Sequence, residues 1–340
     1  MHLPDGVLSL PVAAVTSVIG AAGFATGLYH LRDRSRDRTP VLMGMMAAFV
    51  FAAQMLNFPV FPGVSGHLMG GVLSAVVLGP WAGACVIASV LCVQALLFAD
   101  GGLTALGANF VNMGLLGSVV GYAIFAELRR LLGGGIQGTL VGAMLAAWVA
   151  VLISAGACAL ELAWSNPGIA WLPLLGWMLL IHAAIGVGEA LITGLILRSI
   201  LAARPDLIPG ACHAVPSSNQ IGRFALAGMG LALALALFAA PFAYDAPDGL
   251  ETVVEKVGID YSDASEPGSE TQEIQPTKAP MPDYQLPIPG LSSMRMATAA
   301  AGVVGTLIVC GVAVLLARAT AGSHRLPRPS VPIEAGSHGR

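Results

Sequence analysis

Charge is scarce in this sequence: only 10% of its 340 residues are charged, and Lys256 and Lys278 are its two lysines. Soluble globular domains carry about a quarter charged residues, so that class is excluded. The 16 basic residues are too few and too scattered for a nucleic-acid surface. Cys85, Cys92, Cys158, Cys212 and Cys310 form no CxxC or CxxxC pair, which removes a thiolate metal site and a disulfide framework. They read as small packing residues. No HExxH helix of a zinc hydrolase and no GxxxxGK[ST] phosphate loop occurs. The apolar runs hold almost no carboxylate apart from Glu161 and Glu189. The continuous acidic path of an ion-driven permease or channel, the rival transport class, is therefore missing.

What is present is apolar length. With 56% hydrophobic residues and a mean hydropathy of +0.79, the chain reads as an all-α polytopic membrane protein. The start has no basic region, and its apolar run continues from Val7 to Leu31, so no cleaved signal is expected and Met1 is taken as the N-terminus. Runs cut at glycine, proline and charge predict helices over about 7–31, 40–57, 67–79, 81–99, 103–127, 136–163 and 170–200. Two more follow at about 222–243 and 295–317. The third is about half a span, which a membrane protein tolerates where the backbone lines a protein cavity.

Seven helices and then a two-helix hairpin divide the chain into a membrane domain over 1–205, a linker over 206–221, a hairpin module over 222–320 and a tail over 321–340. Arginines follow helices one, five, seven and nine, which places those ends in the cytoplasm. Met1 and His2 are then outside and the C-terminus is cytoplasmic, in a prokaryotic inner membrane. The hairpin's outer loop, 244–294, has ten acids against two lysines and many prolines, and most of it reads as mobile and solvated.

The chemistry centres on Met1-His2-Leu3-Pro4. A free α-amine, the peptide nitrogen of His2 and its imidazole Nδ1 can close five- and six-membered rings on one ion that displaces the amide proton. Strong-field nitrogens in a plane suit Ni(II) and Cu(II). Pro4 ends the chelating run because it has no N–H. Taken alone, a Met-His start is usually a frayed terminus. His67, opening the third helix, falls at the same end of the bundle, and Gly66, Gly70 and Gly71 beside it would admit a threaded N-terminal tail. A second polar set comprises Gln94, Asp100-Gly101-Gly102, Asn109, Asn112, His182 and Glu189. Asn109 and Asn112 share a helix face and are expected to hydrogen-bond His2 or His67, or else to bond between helices. His182 and Glu189, two turns apart, are expected to meet each other or the end of the sixth helix. Gly23 and Gly27 read as packing residues within the bundle.

The start MHLPDG, the block QMLNFPVFPGVSGHLMGG, the LGP at 78–80, the run QALLFADGGLTALGANFVNM and the segment IHAAIGVGEALIT together resemble the CbiM/NikM family. These are the substrate-capture (S) components of cobalt/nickel energy-coupling-factor (ECF) transporters, and the likeness covers about 1–205. Pro247-Asp248-Gly249-Leu250-Glu251 resembles the signature of the small NikN-type PDGLE partner, here fused. The resemblance implies four nitrogens around the ion, from the Met1 amine, the His2 amide and imidazole, and the His67 imidazole, with Gln54, Asn57, Ser65, Asn109 and Asn112 supporting them. It implies uptake of Ni(II), with Co(II) as the alternative cargo, and no enzymatic activity in this chain. It further implies a coupling membrane subunit of CbiQ/NikQ type and ATPase subunits of CbiO/NikO type as partners, besides membrane lipid.

Overall fold

The computed structural model describes residues 2–33, 39–208, 218–259, 275, 277–286 and 293–321. Met1, Cys212, several basic residues after the first helix, the loop acids between 260 and 273, and the tail histidines His324 and His338 lie outside the described residues.

The first module contains seven helices, as the apolar runs predict. α1 is Leu10–Asp33, α2 Thr39–Gln54, α3 Gly71–Leu78 and α4 Pro80–Val93, the last prolonged by a π-turn over Gln94–Phe98. α5 spans Leu106–Leu131, with a π-helical stretch over Phe110–Val120; α6 is Gly135–Ser165 and α7 Trp171–Ala203. α8 begins at Ser218 and runs on to Phe242, α9 is the short Gly249–Val257, and α10 is Met294–Ala321. Seven of these helices are long and apolar enough to cross a bilayer, and the protein is an integral membrane protein. At about 1.5 Å per residue, α2 falls just short of a span and α3 covers less than half of one.

The third helix starts later than its apolar run predicts. Between α2 and α3 the chain forms a small antiparallel hairpin, β1 (Phe58–Phe61) and β2 (Val64–Gly66), turned at Gly63 with φ 77°. His67 therefore stands between β2 and α3, outside the helix. The broken end is paid no penalty for its free amides: the Glu189 carboxylate of α7 accepts the N–H groups of Met69 (2.6 Å) and Gly70 (2.9 Å). A carboxylate there also suits the positive end of the helix dipole. Glu189 thus does not meet His182, whose Nδ1 lies 2.8 Å from the Met178 carbonyl oxygen one turn back in α7.

The second module packs on the first through α2, which lies between α8 and α10. Gly44 makes room for the Cys310 side chain of α10, and Gly23 and Gly27 of α1 lie against Leu115 and Cys85 within the bundle. Part of the 244–294 loop departs from the solvated state expected of most of it. Leu250, Val253 and Val254 of α9 are buried against α7, and Met281 is buried beside α4. Their spacing at i, i+3 and i+4 is an apolar helical stripe, and burying it outweighs the loop's acidity.

Candidate metal site

The N-terminal segment is built into the bundle. Leu3, Asp5, Val7 and Leu8 are all buried. Asn109 holds Leu3 at both backbone groups: its Oδ1 accepts the Leu3 N–H (2.8 Å) and its Nδ2 donates to the Leu3 carbonyl (3.0 Å). Gly102 N–H donates to the same carbonyl at 2.8 Å. The Asp5 carboxylate accepts the backbone N–H of Thr104 at 2.7 Å and its hydroxyl at 2.5 Å. The glycines that admit this segment are not those beside His67. A Cβ on Gly102 would fall 2.7 Å from the Pro4 carbonyl carbon, whereas one on Gly71 would meet the backbone of Gly117 at 2.7 Å.

So threaded, His2 reaches His67. The two rings are nearly parallel, 9° apart, with centroids at 5.2 Å. His2 Nδ1 is 3.2 Å from an Asp100 oxygen, and its buried Nε2 has no partner among the described residues. Burial lowers the His2 pKa to about 4, with Asp100 opposing part of the shift. His67 Nδ1 lies 3.1 Å from the Leu68 carbonyl oxygen. Nε2 is 3.7 Å from Asp248.

Each letter of PDGLE has a place here. The Pro247 carbonyl accepts the Ser65 N–H at 2.8 Å, and the Ser65 hydroxyl donates to the Ala246 carbonyl at 2.7 Å. Asp248 is the N-cap of α9, accepting from Leu250 and Glu251 N–H, and Glu251 returns a bond to the Asp248 N–H at 2.8 Å. This is a capping box. Gly249 sits on α7, where a Cβ would meet Ile185 at 2.6 Å and His182 at 3.1 Å; Leu250 is the buried anchor. Burial alone would raise the Asp248 pKa, but neighbouring charge, including the contact with His67, holds it well below the usual carboxylate range. Burial, and then Asp248, push Glu251 upward.

His2, His67, Gln54, Asn57 and the PDGLE loop line one cavity of about 590 Å³. Asp100, Asp245, Asp248, Glu251 and Asp283 also line it, with no lysine or arginine among the described lining residues. Such a chamber favours a cation. Among the described residues, no three His, Cys, Asp or Glu side chains converge as a metal-ligand set.

Most of the remaining polar residues take other roles than support of the imidazoles, while Asn112 makes the bond between helices given as its alternative. Gln54 Nε2 donates to the Met69 carbonyl (3.0 Å) rather than to an imidazole, and Ser65 ties down the PDGLE loop. Asn57 accepts the Tyr244 N–H through its backbone carbonyl at 2.9 Å. Asn109 directs its amide to Leu3, and Asn112 donates to Glu161 at 2.7 Å while its carbonyl accepts the Ser154 hydroxyl. Asp100, Asp248 and Tyr284 escaped the sequence reading as neighbours of the histidines. The D-x-x-E capping signature ahead of an apolar stripe would have revealed α9, though not its docking place.

Residues 2–207 match the family described as CbiM, cobalt uptake substrate-specific transmembrane region, and residues 222–321 match the PDGLE domain. The chain is 36% identical over 328 residues to a protein of Archaeoglobus fulgidus provisionally named a fused nickel transport protein, NikMN. That alignment covers 94% of this chain and 98% of the relative. It is 30% identical over 277 residues to the cobalt transport protein CbiM of Geobacter sulfurreducens, covering 77% and 78%. A crystal structure of a truncated transition metal transporter is similar over 59% of this chain and 99% of its own, with a TM-score of 0.53 at 30% identity.

Proposed function

This chain belongs to the CbiM family of nickel and cobalt transport proteins, and from that premise we propose that it captures Ni(II) for an ECF-type importer. The observation that carries this reading is the pairing of His2 with His67, 5.2 Å apart, on a cavity whose described charged side chains are all acidic. The Met1 amine, the His2 amide nitrogen, the His2 imidazole and the His67 imidazole would surround the ion in a nitrogen square. Loss of the amide proton makes the bound unit +1, which lowers the penalty of holding the ion in a bundle of low dielectric. Asn109, Gly102 and Asp5 fix the tail so that the donors arrive in register. The PDGLE loop covers the chamber and serves as its lid.

The fused NikMN relative and the planar nitrogen preference favour nickel. Co(II) is the second reading, supported by the named cobalt transporter among the relatives. The arginine distribution supports an orientation with the site outside and the C-terminus in the cytoplasm. ATP hydrolysis then belongs to separate CbiO/NikO-type subunits, joined through a CbiQ/NikQ-type coupling subunit.

The test is the d–d absorption and metal content of the purified chain beside His2→Ala, which removes the imidazole donor. The expected result is a square-planar Ni(II) spectrum that the substitution abolishes. Equal binding by both proteins would refute the chelate. Stronger retention of Co(II) than Ni(II) by the native chain would shift the cargo to cobalt.

A further inference from the structure

One side-chain relay connects the second module to the nitrogen on which the proposed chelate depends. The Tyr284 phenol donates to Asp100 Oδ2, while Asp100 Oδ1 faces His2 Nδ1 at 3.2 Å. Gln94 Nε2 donates to the Tyr284 oxygen at 3.2 Å and to Gln54 Oε1 at 2.9 Å, and Gln54 donates to the Met69 carbonyl two residues after His67. The network therefore reaches His2 through Asp100 and the backbone two residues beyond His67, and Tyr284 is the second module's member of it.

The backbone marks the same place. Among the described residues, the non-glycine residues with positive φ are Ala99 (55°), Asp283 (49°) and Tyr284 (55°). A left-handed conformation is unfavourable for an L-residue, and it persists where the surroundings over-determine it. All three flank the Asp100–Tyr284 contact. The Tyr284 ring is further fixed by stacking on Phe98, with centroids 4.7 Å apart, and Met281 N–H donates to the Leu97 carbonyl at 2.9 Å.

A six-membered chelate ring from the His2 amide closes through Cα, Cβ and Cγ on Nδ1, the nitrogen that Asp100 holds. Metal and carboxylate cannot both have it. We propose that Asp100 competes with the metal for His2 Nδ1, and that Tyr284 of the second module sets how strongly it competes. A phenol donating to Asp100 weakens the carboxylate as an acceptor for His2 and pins it in place. Release of that phenol strengthens the competitor and favours loss of the ion. The loss of Asp100's attraction for the cation is a lesser effect, because four other carboxylates line the chamber. Coupling is reciprocal: an ion that takes Nδ1 from Asp100 changes the hold of Asp100 on Tyr284, so the second module senses occupancy. This inference rests on the N-terminal chelate reading.

The test uses the full chain loaded with Ni(II), with its release to an excess of chelator followed by the square-planar absorption. Tyr284→Phe keeps the ring and its stacking and removes only the hydroxyl. It is expected to speed release by about fivefold or more. Asp100→Asn is expected to slow release, and in that background Tyr284→Phe should have no further effect. An equal Tyr284→Phe factor in both backgrounds, or none in either, overturns the proposal, as does faster release from Asp100→Asn. His2→Ala separates the two readings. Unchanged Ni(II) binding in that variant refutes the chelate itself, whereas a chelate that depends on His2 but shows additive Asp100 and Tyr284 effects refutes only the competition.

Discussion

Replacing Leu250 by alanine tests whether the PDGLE loop governs metal retention. Leu250 is 1% exposed and follows Gly249, which sits directly on Ile185 and His182 of α7. Truncating a buried leucine costs about 2–5 kcal/mol. Here the lost contacts lie across the α9–α7 interface, so the cost falls on docking more than on the fold of the bundle. Taking about 3 kcal/mol and 1.4 kcal/mol per factor of ten, the open fraction of α9 rises roughly a hundredfold. The Asp248–Glu251 capping box is untouched, so α9 retains its own N-terminal bonds. Amide hydrogen exchange over 250–257 should accelerate by about that factor, and Ni(II) release measured on the same sample should accelerate with it. If exchange speeds up and release keeps its wild-type rate, the loop is not a lid over the ion. If exchange is unchanged, the docking energy has been misjudged.

Two further outcomes follow from the anchoring of the tail. Asn109→Ala removes both bonds to Leu3 and leaves its buried N–H without that partner, at about 1–3 kcal/mol; Ni(II) affinity should fall about tenfold or more by equilibrium titration, while Asn112→Ala, which breaks a bond to Glu161, should change it less. The docked His2 has a pKa near 4 against 6.5 when free, so as pH falls below 6.5 the undocked tail gains a proton that the docked tail refuses until about 4. Docking is therefore at full strength above 6.5 and weakens through that window by about 1.4 kcal/mol per pH unit at most. Protection of the Leu3 amide in the metal-free protein should decline between pH 6.5 and 4.5, and flat protection would contradict the burial of His2.

The helices were legible because apolar length in a bilayer is a one-dimensional property, and the runs ending near Asp33, Ser165 and Ala203 required no tertiary knowledge. His2 and His67 were legible as a pair through chemistry, since few residue types hold a transition metal. The partners of the polar residues were not legible. Asn109 and Asn112 differ by one turn, yet one clamps Leu3 and the other Glu161, and only the packing of α5 against the tail and α6 decides between them. The 244–294 loop misled for a related reason: its ten acids outweigh, in composition, the three apolar residues that seat it. Average polarity does not register a short stripe with a specific surface to cover.

That loop is tied to the first module on either side of its covering helix, by Tyr244 N–H to the Asn57 carbonyl and by Met281 N–H to the Leu97 carbonyl, each at 2.9 Å. Both modules belong to one polypeptide, so closure is a unimolecular event. A short linked segment meets its site at an effective concentration of about millimolar, which no separately synthesised subunit reaches in a cell membrane without tight affinity. The seat of α9 can therefore stay small and readily reversible and still be occupied most of the time. Fusion also makes the ratio of cover to site one to one whatever the expression level, and leaves the opening rate independent of how much of any other protein is present.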